Sequence, residues 1–281
     1  IISGFVIMVL LLGVVALLGY RGLGGASDGF TEYRRLARLN VDASDIVVGA
    51  NSAEGEVIKF LDNIDNKAPI EAAHKVARNM EELITDAEEF ASHKETRERL
   101  NQIRERVRQF NSDVDIVNKN ITDAYAQYTG VVQQNAREMM DNLLKLGDLA
   151  AAVNNVTALN NITHSWDNLA AARSSLSRYA ESRDPADGKR TTDNLNGLAK
   201  ELEEIGKVII SSEGRSVYDA LMKDNQELQA GMSDMVRMND QAAKALGDII
   251  ANIQAMRDIA NALNDDVANQ MVTYGTQTPG P

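Results

Sequence analysis

The sequence predicts an all-α protein: six helices forming two stacked four-helix bundles that share two long helices, preceded by a transmembrane helix. Three observations carry this. Aromatic residues make up 5% of the chain and there are four prolines in 281 residues, a composition that favours helix over sheet. Apolar residues recur at alternating steps of three and four, the mark of one buried helical face. The expected helix lengths then run short, short, long, and repeat.

Residues 1–20, IISGFVIMVLLLGVVALLGY, carry no charge, and about 20 apolar residues span a bilayer core. A transmembrane helix is expected over 1–21, with Arg21 snorkelling at the interface. Helix one follows over about 26–62 and ends in NIDNKAP. Pro69 there suits the first turn of helix two, about 69–91. Ser92 and Glu95 have the spacing of a capping box for helix three. Its stripe reads Val107, Phe110, Val114, Val117, Ile121, Ala124, Tyr128, Val131 and continues towards Val153. Helix four starts near Thr157 and stops at SRDPADG, the clearest turn in the chain. Helix five covers about 189–210. Helix six runs from about 217 to 271, with Leu221, Leu228, Met232, Met235, Leu246, Ile249 and Ile253 on its stripe.

At 1.5 Å per residue, helices three and six are about 85–90 Å long and the others roughly 30–55 Å. A chain that climbs by helix one, climbs again by helix two and descends along helix three, and then repeats this, places four segments at every level. Four segments close an apolar core. A membrane-proximal bundle is thus expected from about 26–62, 125–183 and 243–272, and a distal bundle from about 69–124 and 189–242. Residues 22–275 form the whole helical domain, and 276–281 a tail.

Several function classes fall away. There is no cysteine, which removes disulfides and thiolate metal sites. A net charge of -12 argues against nucleic acid, whose phosphates need a basic face. No P-loop, GxGxxG, GxSxG or HExxH occurs. His74, His93 and His164 lie on different expected helices and read as solvent-facing. No enzyme activity, metal or cofactor is expected.

The stretch GFTEYRRLARLN sets Arg34, Arg35 and Arg38 within five positions of an acidic chain. Two readings stand side by side. Arg38 can pair with Asp42 at i+4 while Arg34 and Arg35 coat a helix in water, each pair contributing a few tenths of a kcal/mol at most. Alternatively Arg35 and Arg38, three apart and on one face, hold an anion. In the climbing model Arg173, Arg137 and Arg257 fall near the same level. Arginines from several helices can enclose a carboxylate through charge-assisted, bidentate hydrogen bonds.

YRRLARLN in helix one and AARSSLSRY in helix four, with the apolar N-terminal segment and the short-short-long repeat, resemble the helical bimodular sensor domain of bacterial methyl-accepting chemotaxis receptors. The resemblance covers nearly the whole chain. It implies a periplasmic domain anchored in the inner membrane, dimeric in its signalling form, that recognises small organic acids such as malate, succinate or citrate. It implies ligand-binding roles for Arg35 and Arg38 in helix one and for Arg173 and Ser177 in helix four; Arg257 joins this ligand-binding set from its expected level. Sensor histidine kinases carry similar helical domains, and an anchored structural bundle explains the heptads equally well.

Overall fold

The computed structural model describes the backbone of residues 2–277 and the side chains of Tyr20 and of residues 29–273. Within them the protein is all-α. The elements are α1 (Ile2–Asp62), α2 (Ala68–Phe90), α3 (Lys94–Gln127), a π turn (Tyr128–Val132), α4 (Gln133–Ala152), α5 (Val156–Ser182), α6 (Pro185–Val208) and α7 (Ser212–Gln277). The π turn joins α3 to α4 without a break, so the described residues form six helical rods, as expected. No helix of the described residues is long and apolar enough to cross a membrane. The segment expected to do so, 1–21, lies outside the described side chains apart from Tyr20. The expected tail is outside the described residues from 278 onward.

The helix ends follow local chemistry. Pro69 sits in the first turn of α2. Pro185 opens α6, and the Asp184 side chain accepts a hydrogen bond from Ala186 N at 2.9 Å. The helix thus begins four residues before the expected Lys189, because proline has no N–H to lose at that position. Asn155 caps α5 by accepting from Ala158 N at 3.0 Å.

The chain divides into two units, Ile1–Val114 with Leu246–Pro281, and Asp115–Ala245. In the first, cross-helix contacts place four helices in a closed antiparallel ring. Arg35 reaches the Phe90 carbonyl and Gly49 lies against Met80, which joins α1 to α2. Arg104 forks onto Glu88 at 2.7 and 2.9 Å, joining α2 to α3. Asn252 donates to Asp113 at 3.2 Å and Arg99 to the Ala262 carbonyl at 3.1 Å, joining α3 to α7. Arg257–Glu54 and Asn264–Ser44 close the ring from α7 to α1. In every pair one residue number rises as the other falls, so neighbours run antiparallel. The core of this unit holds Leu36, Leu39, Ile46, Phe60, Ile84, Ile103 and Phe110, all at most 1% exposed.

The second unit closes in the same way. Met140 and Gly147 of α4 meet Arg173 and Ile162 of α5. Thr191 of α6 donates to Ser175 of α5 at 2.9 Å. Gly206 of α6 lies against Tyr218 of α7. Asn142 of α4 donates to Asp224 of α7 at 2.9 Å.

This grouping corrects the expected one. Helix one shares a bundle with helix two, not with helix four; residues 69–114 belong with 1–62, and 125–183 with 189–245. The reason lies in the connections. The links after α1 and after α5 are Asn63–Lys67 and Arg183–Asp184, and connections this short return the chain alongside the preceding helix. Helix length alone carries no direction.

A second correction concerns the stripe of helix three. Val131, expected in the core, is 40% exposed, and Val132 is 0% exposed. The buried positions run 117, 121, 124, then 132, 136, 139, 143 and 146. From 124 to 132 is eight residues where a heptad allows seven. The π turn takes up the extra residue: Gln133 N bonds to the Tyr128 carbonyl, five residues back, and the wider turn returns the apolar face to the core.

Candidate anion-binding site

Arg35 and Arg38 lie on α1 in the first unit, beside an open groove that also takes in Phe30, Tyr33, Val41 and Phe90. Both cations are engaged within the chain. Glu32, one turn earlier, receives Arg35 through both oxygens at 2.8 and 2.5 Å. That hydrogen bond holds the Glu32 carboxyl below its usual value. A further guanidinium N–H goes to the Phe90 carbonyl, an acceptor left open at the C-terminus of α2. Arg35 therefore acts as a C-terminal cap for its neighbouring helix. Arg38 pairs with Asp42 at 3.4 Å, the i+4 pairing that the spacing allows. Arg34 lies over the Phe30 ring, 6.0 Å from its centroid.

Asp42 is 1% exposed, and its second oxygen has no hydrogen-bond partner. Burial pushes its pKa up, against the pull of Arg38. The folded state therefore holds a proton at Asp42 more tightly than the unfolded chain does. The stability from this group is full below its ordinary value of 3.8 and is lost as pH rises through the raised folded value. Asp42→Asn is expected to stabilise the protein at pH 7 by about 1 kcal/mol, the scale of one buried unsatisfied group. The gain over the parent shrinks as pH falls towards 4. Urea denaturation of both proteins at pH 4 and pH 7 measures it; an equal or opposite difference at the two pH values would refute it.

Arg257 is not near the Arg35–Arg38 groove. It pairs with Glu54, more than three helical turns past Asp42 on α1, and its Nε is buried without a partner. Arg173 and Ser177 lie on α5, in the second unit. The expected jaws of one site thus belong to two units, and the sequence-derived set Arg35, Arg38, Arg173, Ser177 and Arg257 is not one constellation.

What surrounds Arg173 is a cleft of about 620 Å³ between α4 and α5. This volume is within the range of small-molecule sites. Arg137 and Gln133 line it from α4, Tyr128 from the π turn, and Arg173, Ser174 and Ser177 from α5. Two guanidinium groups, three hydroxyls and an amide thus converge, and no acidic side chain lines the cleft. Among the described residues neither Arg137 nor Arg173 forms an ion pair. The Arg137 Nε bonds only weakly to the Gln133 carbonyl of its own helix, at 3.4 Å, and Arg173 meets the thioether of Met140. A thioether is a weak acceptor for a cation. Such a site can take an acid with two carboxylates, one on each fork.

The π turn makes this wall. Residues five apart on an α-helix point about 140° apart, but the wider π turn brings Tyr128 and Gln133 to one side. No family model matches the chain, and no curated protein matches it. Of the cleft, Arg173 is expected both from its height and from the resemblance, Ser177 from the resemblance, and Arg137 from its expected height alone. Tyr128 was assigned to the core stripe, and Ser174 and Gln133 carry no signal that a fixed helical period would reveal.

Proposed function

We propose that this chain is the extracytoplasmic sensor region of a bacterial transmembrane receptor, akin to the helical bimodular domains of chemoreceptors. It carries its membrane anchor at residues 1–21, works as a homodimer, and recognises C4 dicarboxylates or tricarboxylates such as malate, succinate or citrate. The observation that supports this reading best is the α4–α5 cleft, where Arg137 and Arg173 face a hydroxyl-lined space that no carboxylate of the chain fills. A structural spacer has no use for two cations gathered in a cleft without acidic partners. Bound acid neutralises both arginines and ties α4 to α5 through charge-assisted hydrogen bonds. It biases the packing of that helix pair beside the π turn, and a ligand shifts such an equilibrium by its differential affinity for the two packings.

Titration calorimetry with a panel of mono-, di- and tricarboxylates of two to six carbons tests the proposal. Saturable binding of at least one di- or tricarboxylate, tighter than that of acetate, is the expected result. Absence of binding by every member of the panel overturns it.

A further inference from the structure

We propose that the second unit holds another site, at the end where its α4–α5 and α6–α7 connections meet, and that this site takes a small uncharged apolar molecule. The inference is independent of the carboxylate reading, because the two sites share no lining residue. A cavity of about 260 Å³ lies there between the C-terminal turns of α4 and α6 and the N-terminal turns of α5 and α7. Its walls include Leu146, Leu149, Val153, Ala158, Val208 and Ile209, and no charged side chain lines it.

The polar side chains at the cavity each engage the backbone. Asn155 accepts from Ala158 N through its oxygen and donates from its amide nitrogen to the Val208 carbonyl at 3.1 Å. Ser211 Oγ accepts from Gly214 N at 3.0 Å. A ligand therefore finds largely apolar walls, no charged group and polar side chains already engaged by the backbone, which selects against acids and in favour of hydrocarbon. An enclosed apolar cavity of about 150 Å³ admits benzene; this one opens to solvent on one side and, at about 260 Å³, has room for an alkylbenzene. Asn155 fixes the frame by tying the start of α5 to the end of α6. At the mouth, Ile210 is 94% and Val153 67% exposed, apolar surface that an occupant would cover.

Toluene is the probe, with the chain methyl-labelled for NMR. Saturable shifts are expected at the methyls of Leu149, Ile209 and Ile210, and none at Ile84 or Ile103 in the other unit. Ala158→Leu, which fills the cavity, is expected to weaken the toluene response at least tenfold while leaving succinate binding unchanged. Ala150→Leu fills the same space from α4 should the first variant fail to fold. Three outcomes would overturn the proposal: no saturable shift at these methyls, shifts spread over both units, or the same response in a folded filled variant.

Discussion

Replacing Arg173 by Gln weakens carboxylate binding about 10- to 100-fold, and replacing Arg137 and Arg173 together removes it. One hydrogen bond to a charged partner contributes about 1.5–3 kcal/mol, and every 1.4 kcal/mol is about tenfold in affinity. The folded state loses little, because Arg173 is exposed and forms no ion pair among the described residues. Its melting temperature is expected to stay within about 1 °C, as for a surface change of a few tenths of a kcal/mol. Arg35→Gln gives the opposite pattern. It loses the fork on Glu32 and the cap on the Phe90 carbonyl, so stability drops by about 1–2 kcal/mol while succinate binding is retained. Calorimetry and thermal melting on the three variants separate a binding arginine from a capping one.

Deleting Glu138 unfolds the second bundle, whereas deleting Gly130 leaves it folded. Both residues are exposed, so a view based on contacts would rank the deletions alike. The apolar period decides otherwise. Removing Glu138 turns everything beyond it by about 100°. Met139, Leu143, Leu146 and Ala150, at most 6% exposed, then leave the core. Losing a buried Leu or Met costs about 2–5 kcal/mol, so three of them cost about 6–15 kcal/mol together, as much as the roughly 5–15 kcal/mol that holds a domain together. Removing Gly130 takes the extra residue out of the π turn. The spacing from Ala124 to Val132 falls from eight to the seven of a regular heptad, and every later core residue keeps its side. Stability is expected within about 1 kcal/mol of the parent, a surface-type effect. Circular dichroism with urea denaturation reads both outcomes. Unfolding by both deletions, or by neither, would show that the turn does not carry the register.

The sequence yields the helices more readily than their arrangement. Pro69, Asp184–Pro185 and the three-four stripes mark where helices begin and which face is buried, because both are local properties. Direction is different: only the brevity of Asn63–Lys67 and Arg183–Asp184 betrays that each pair is a hairpin, and length arithmetic overrides that cue. The π turn is hidden because a fixed period passes smoothly through Tyr128 to Val131, both plausible core residues. At the arginine cluster the i+4 partner of Arg38, Asp42, is read from the spacing, whereas Glu32, at i−3 from Arg35, is not singled out. The Phe90 carbonyl is not either, since it lies across a helix pair whose direction the sequence left open. The cleft joins residues that only the α4–α5 pairing brings together.

A crystal structure of the protein grown with succinate tests the central claim most directly. Density for the dicarboxylate between Arg137 and Arg173, with a hydroxyl of Ser174 or Ser177 on one carboxylate, is the predicted result. Succinate bound instead at Arg35 and Arg38, with Glu32 and Asp42 displaced, would contradict it.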